Sequence, residues 1–393
     1  MLLSMRARVS LLLVVATAVL GVATGCGART GLADSSNVTD AGLGGDLDAA
    51  HDTGLPIVCP PIPIRWSPSR VVVGAPSSVA MAAHPRCGVV VASSDASNRI
   101  DVATLDPTGA IVHAPLDVSG QVVAIAQTGT ELHVLYNDGA ALRYVVRRDG
   151  ALGASELVDP DGLGKGDLIV DAAGAVHAVY VSATGPLDEL RYVVRRGAWA
   201  LPERVEARQA FEPTIALGKD SAVHVSYEYV SSSSDHGCVL ATGGPAGSTW
   251  STLDLPRVDA HWSSSPCNLR ASADGTLHVA YGAYGAEGPV MLHAFGDTGA
   301  LRFETLDRLS SFGTDPKAAA VDARGRLHAA YRSAESGAPS MMAVTAGGTT
   351  PSLEKIPDAA PAAAVIVVVD GVDVTHVIYF RDGSLWYTAR APS

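Results

Sequence analysis

Aromatic side chains are scarce in this sequence, 5% of 393 residues, although 47% of the residues are apolar. A core can therefore be large but must be mostly aliphatic. Basic residues are scarce too: 28 Lys and Arg stand against 40 Asp and Glu, a formal charge of −12. That balance argues against a nucleic-acid partner, which requires a concentrated basic face. It also argues against electrostatic docking on anionic lipid. Close C-x2-C pairs are missing, which argues against a structural zinc site. No Gly-x-Ser-x-Gly, His-Glu-x-x-His or Gly-x-x-x-x-Gly-Lys-Ser/Thr occurs, so no standard nucleophile elbow, zinc helix or phosphate loop is assignable. Beyond the N-terminal segment no stretch sustains a helical period.

What is present begins with a targeting segment. Arg6 and Arg8 precede an apolar run over Val9–Val22, short for a membrane-spanning helix. Ala23-Thr24-Gly25-Cys26 follows. Small residues before a cysteine resemble a bacterial lipobox, with Ala23 where Leu is commonest. The resemblance implies a signal peptide over 1–25 and a diacylglyceryl group on Cys26. The chain is then exported and anchored to the cell envelope, at the outer membrane or periplasmic face, without spanning a bilayer. Residues 26–58 are rich in Gly, Ala and Asp, lack apolar periodicity and are expected to form a flexible tether. Asp46 and Asp48 lack a calcium-loop framework, and the Asn37-Val38-Thr39 sequon is expected to go unused.

Four further cysteines remain, Cys59, Cys87, Cys238 and Cys267. An even number in an exported chain points to disulfides. Three connectivities are open. The local one, Cys59–Cys87 with Cys238–Cys267, closes two loops of similar length.

The heptamer LRYVVRR occurs at Leu142–Arg148 and again at Leu190–Arg196, 48 residues on. A second pattern shares that period. His followed three residues later by Tyr occurs at His133/Tyr136, His177/Tyr180, His224/Tyr227, His278/Tyr281, His328/Tyr331 and His376/Tyr379, at successive spacings of 44, 47, 54, 50 and 48. Around each pair the unit reads as a short apolar strand, an Asp/Gly turn, the His/Tyr strand, a polar loop, a third strand such as LRYVVRR or LWYTAR, and an irregular fourth strand. Four antiparallel strands in about 48 residues make one propeller blade. Residues 79–116 supply a further unit without His and Tyr.

The count is then seven, giving an all-β, seven-bladed β-propeller over 59–393. A six-bladed ring is the alternative. The last unit runs out of chain before its fourth strand. The segment Trp66–Val73 resembles the fourth-strand region Trp199–Val205 and is expected to close the ring as the missing strand.

Alternation puts the six histidines on the second strand of each blade, where both faces are buried. Each is expected to hydrogen-bond a carbonyl or hydroxyl on the adjacent blade. A shared metal is disfavoured, because the second strand lies roughly 4.8 Å further from the axis than the first. The tyrosines are read as an apolar seam between blades. The Arg pairs Arg147/Arg148 and Arg195/Arg196 are read as exposed strand ends, with an anion-binding role as the alternative. The carboxylate pairs Asp159/Asp161 and Asp188/Glu189 are assigned to solvated loops.

The repeat resembles those of sialidase-like and BNR-type propellers, with Gly247-Ser-Thr-Trp250 and Gly197-Ala-Trp199 as remnants of their Asp-box. That resemblance implies a propeller over roughly 66–393. No arginine triad and no Tyr/Glu pair can be assigned, and Pro63-Ile64-Arg65 departs from the family's Arg-Ile-Pro. The expectation is a monomeric, non-catalytic envelope lipoprotein, a binding or scaffold module for a protein or glycan, with no cofactor, metal or catalytic residue. Its best candidate loops are Tyr229–Gly247 and Val258–Pro266. The rival expectation is a carbohydrate-active enzyme, a sialidase-like glycoside hydrolase or a polysaccharide lyase.

Overall fold

The computed structural model describes residues 21–23 and 66–391, apart from short stretches of which 257–266 and 310–317 are the longest. Cys26, the tether, Asn37, Asp46, Asp48 and Cys59 lie outside the described residues. Apart from one 3-10 turn at Lys219–Ser221, the regular structure described is β-strand.

The strands form seven antiparallel blades. Blade 1 is Ser78–Ala83, Val89–Ser94, Arg99–Leu105 and Ile111–Ser119. Blade 2 is Gln121–Thr128, Glu131–Asn137 and Leu142–Arg148, with a fourth strand in two pieces, Ala151–Leu152 and Glu156–Asp159. Blade 3 repeats that plan with Gly162–Val170, Val176–Ser182, Glu189–Arg196, Ala198–Trp199 and Glu203–Glu206. Blade 4 is Gln209–Leu217, Val223–Ser232, Asp235–Gly243 and Ser251–Asp254. Blade 5 is Asn268–Ala271, Leu277–Gly285, Gly288–Gly296 and Arg302–Arg308. Blade 6 is Ala318–Val321, Leu327–Tyr331, Met341–Thr345 and Ser352–Lys355. Blade 7 is Val365–Val369, Thr375–Arg381, Ser384–Arg390 and, from the other end of the chain, Arg70–Gly74.

The first strands touch one another in sequence around the ring, and that of blade 7 touches that of blade 1. They are the innermost strands. The seven-unit reading and the N-terminal closure both hold. The proposed equivalence of Trp66 and Trp199 holds in detail: Ser67 N donates to Ala389 O at 2.8 Å, as Ala200 N donates to Val194 O at 2.9 Å. Residues Gly21–Ala23, within the segment read as a signal peptide, pair in parallel with Ser78–Ala80 on the inner edge of blade 1.

Antiparallel order fixes the two faces. The turns between first and second strands and between third and fourth strands share one face, here the turn face. The second-to-third loops and the blade-to-blade connections share the other, the connection face. On the turn face, Asp171, Asp322 and Asp370 each start a turn whose backbone N–H groups their own Oδ1 accepts at 2.8–3.0 Å. The turn's fourth position needs positive φ. Gly174 (φ +80°) and Gly325 (φ +73°) supply it, and Asp373 (φ 63°) takes it in blade 7.

The scarce aromatics are concentrated. Tyr144, Tyr180, Tyr192, Tyr227, Tyr281, Tyr331 and Tyr379 are all fully buried. Each removes about 150–250 Å² from water, which offsets the smallness of the Ala and Val side chains around them.

Candidate functional site

All six repeat histidines lie on second strands, and none exceeds 5% exposure. Their partners correct the expectation of adjacent-blade bonds. His133, His177 and His376 reach Tyr144, Tyr192 and Tyr387 on the third strand of their own blade, Nδ1 to Oη at 2.6, 2.6 and 2.8 Å. His224 bonds Thr242 at 3.0 Å, also in its own blade. His278 bonds His293 at 3.0 Å, and His293 bonds Glu304 at 2.8 Å. Only His328 reaches the next blade, to Thr375 at 3.1 Å. The physical reason is the pleat. The third-strand residue two places before the histidine's register partner shares its face, and it reads Tyr144, Tyr192, Leu240, His293, Met342, Tyr387. Where Leu240 or Met342 offers no polar atom, the histidine finds a threonine instead.

In blades 3, 6 and 7 the turn aspartate takes the other ring nitrogen, Nε2 to Oδ2 at 3.3, 3.1 and 3.0 Å. With Nε2–H donating to the carboxylate in blades 3 and 7, Nδ1 is the acceptor for the tyrosine hydroxyl. These Asp–His–Tyr chains resemble proton relays, but they are buried and repeat with the blade. Burial holds His133 and His224 down to about 4 and His278 to about 3. Among the described residues no group of His, Cys, Asp and Glu is arranged to hold a metal ion.

In four of the six His/Tyr pairs the tyrosine is more than an apolar seam. Tyr180 donates to Asp159 (2.8 Å), Tyr227 to Glu206 (3.0 Å), Tyr281 to the Pro256 carbonyl (3.1 Å) and Tyr331 to Asp307 (3.0 Å). Each acceptor lies at or just past the end of the fourth strand of the preceding blade, so these bonds tie blade to blade on the connection face. Tyr136 is the exception, meeting Ser155 of its own blade at 2.6 Å. Burial, and then the neighbouring carboxylate, push the Tyr180, Tyr227 and Tyr331 hydroxyls well above the ordinary tyrosine range. A nucleophilic tyrosine needs the opposite shift and an open path.

Asp159 corrects the solvated-loop assignment. It ends a strand, is 2% exposed, and accepts from Tyr180, from Ser182 at 3.3 Å and from Arg191 at 3.3 Å. Glu189 opens the third strand of blade 3 and pairs with Arg191 at 3.4 Å. Asp159, Glu206 and Asp307 were legible as a spacing: each precedes its tyrosine by 21, 21 and 24 residues.

The arginine pairs divide. Arg148 is an exposed strand end, its side chain 60% accessible beside Glu131. Arg195 is not: it holds Glu156 of blade 2 by two bonds of 2.7 Å and lies 5.5 Å over the Tyr144 ring. The Asp-box remnants also pack across blades. Trp199 meets the edge of Tyr144 at 5.3 Å, and Trp250 meets Tyr192 at 5.4 Å.

Of the cysteines, Cys238 and Cys267 form a disulfide with Cα atoms 5.8 Å apart. It joins the third strand of blade 4 to the residue before the inner strand of blade 5. Cys267 O also accepts from Thr214 Oγ1 (3.1 Å) and Ser226 Oγ (2.7 Å). Cys87 is disulfide-bonded as well.

No protein-family model and no curated protein matches the chain. Solved structures match its fold. Hydrazine synthase of Kuenenia stuttgartiensis is similar at TM-score 0.58 and 11% identity, over 87% of this chain and 98% of that one. A PL25 ulvan lyase is similar at 0.54 and 12%, over 82% and 95%. Virginiamycin B lyase from Staphylococcus aureus is similar at 0.53 and 12%, over 82% and 99%. At such identities the likeness carries the propeller fold and nothing about chemistry.

Proposed function

We propose that this chain is a non-catalytic binding module of the cell envelope, anchored through a lipid on Cys26, that recognises a glycan or protein with its connection face. The supporting observation is the Cys238–Cys267 disulfide. The segment 229–247, read from the sequence as a loop, is largely strand of blade 4 over Val223–Ser232 and Asp235–Gly243, with Cys238 inside it, and Cys267 follows 258–266, which lies outside the described residues, so the disulfide ties blade 4 to the start of blade 5. Binding loops gain from such bracing because less ordering entropy is lost on association. The repeated His, Tyr and Asp networks are buried and serve blade packing, which leaves recognition to the loops. A glycan array probed with the full-length chain in detergent, and with a variant lacking 231–235, tests the reading. A bound glycan lost in the deletion variant at unchanged urea midpoint supports it. Equal binding by both forms refutes the placement on this face. Metabolic labelling with palmitate, lost in Cys26→Ser, tests the anchor.

One observation favours the enzymatic alternative. Tyr180, Asp159, Arg191 and Ser182 converge within 3.3 Å contacts on the connection face. A glycoside hydrolase or polysaccharide lyase would use such a group only after opening it to substrate, since Tyr180 and Ser182 are fully buried and Asp159 is 2% exposed. Turnover of a polysaccharide or fluorogenic glycoside that disappears in Tyr180→Phe would establish that reading. The binding reading expects no turnover and full glycan binding in that variant.

A further inference from the structure

The two copies of LRYVVRR have different surroundings, and the repeat register says how. Glu156 sits opposite Tyr144 on the fourth strand of blade 2, and Arg195 of blade 3 grips it. The same slot pair recurs at other junctions. Glu304 of blade 5 accepts from Thr345 of blade 6 at 3.0 Å, and Glu354 of blade 6 pairs with Arg390 of blade 7. Arg147 is Arg195's equivalent, the sixth residue of the same heptamer, so its junction is that between blades 1 and 2. There the counterpart of Tyr144 is Val102, and the residue opposite Val102 is Ala114. The acid of the pair is missing. Leu152 replaces Trp199, the large aromatic of the next junction. Val112, two residues from Ala114 on the same side of the strand, is 64% exposed. The Arg147 residue is half-buried, and among the described residues no side chain or backbone group forms an ion pair or hydrogen bond with its guanidinium. Burial alone lowers its pKa, without a carboxylate neighbour to oppose it. In a chain of charge −12 a partly desolvated, unpaired guanidinium is exceptional.

We propose that the turn-face junction of blades 1 and 2 is a carboxylate-binding site, in which Arg147 holds a ligand carboxylate in the place Glu156 occupies beside Arg195, with Val112 and Leu152 against the ligand's body. The planar guanidinium fork suits a carboxylate held by two parallel bonds. The site stands independently of the connection-face reading above, since it lies on the opposite face and on different blades.

Two carboxylate sources are distinguishable by their bodies, an apolar acid or a uronate sugar. Benzoate and glucuronate are therefore titrated separately into the full-length chain by ligand-observed NMR. Saturable binding of at least one, with Kd of roughly 1 mM for so small a ligand, is expected. The tighter probe names the source. Arg147→Gln should weaken it at least tenfold while holding or raising the urea midpoint, because it removes a half-buried charge that no carboxylate pairs. Ala114→Glu supplies the missing acid internally. It should abolish binding of the probe and raise the midpoint. Failure of both probes to bind the folded protein overturns the proposal. So does undiminished binding in folded Arg147→Gln or Ala114→Glu.

Discussion

Asp370 carries more of the ring than any histidine does. Its Oδ1 accepts Val372 N and Val374 N, and its Oδ2 accepts His376 Nε2 at 3.0 Å and, across the junction, Gly88 N of blade 1 at 2.9 Å. At 2% exposure it has no water to fall back on. Asp370→Ala would leave four donors unmatched, three of them buried, and is expected to cost about 3–5 kcal/mol, read as a lowered urea midpoint. The histidines set a pH dependence of known sign. His133, His224 and His278 ionise near 6.5 when unfolded but near 3–4 when buried in the fold. Between those values the unfolded chain binds more protons, so stability is full above about pH 6.5 and falls as pH drops toward 4. Asp167, pushed by burial up to about 7, acts oppositely over the interval above 3.8, one group against five histidines, since burial lowers His177 and His293 as well. Asp171, Asp322 and Asp370 are held low by their histidine and backbone bonds despite burial, and so lose their contribution only below 3.8. Urea midpoints should therefore fall between pH 6.5 and 4.5, and less steeply in His224→Gln. A flat profile over that interval would contradict the burial of neutral histidines.

At the scale of strands, legibility follows how completely a pattern is imposed by burial. Second strands such as Val176–Ser182 are buried along their whole length and were read correctly from His-x-x-Tyr. Third strands were read from LRYVVRR and LWYTAR. Fourth strands were harder. Those of blades 2 and 3 break into two pieces with a register shift, because only some of their residues face a neighbouring blade. Asp159 reads as a loop residue in the sequence for that reason: a carboxylate at an irregular strand end looks like one until the tyrosine of the next blade is brought beside it. The disulfide was legible as an even cysteine count, and its pairing only as one of three. It closes a separation of 29 residues, for which chain entropy gives about 3–4 kcal/mol. The Cys238→Ser, Cys267→Ser double variant should unfold at a correspondingly lower urea midpoint. An unchanged midpoint would mean that the Thr214 and Ser226 bonds to Cys267 O hold the junction alone.

At the scale of the whole molecule, seven similar blades make a ring only if the last one is completed. Arg70–Gly74 does this by pairing with Ser384–Arg390, and the closure is reinforced on both sides. Ser67 and Thr388 are bonded through Thr388 Oγ1 to Ser67 O at 2.8 Å, and Trp66 packs against the core shared by blades 6 and 7. Removing 66–74 would expose the backbone edge of Ser384–Arg390, a row of unpaired donors and acceptors that templates association. It would also uncover Tyr387 and Leu385, buried at 2% and 0%. The deletion variant is expected to unfold at a lower urea midpoint and to self-associate with rising concentration in analytical ultracentrifugation more strongly than the intact chain does. A synthetic peptide of residues 66–74 added in trans should suppress that association by refilling the edge. A deletion variant that stays monomeric with an unchanged midpoint would show that the ring holds without its closing strand, and that the chain's two ends need not meet for the fold to form.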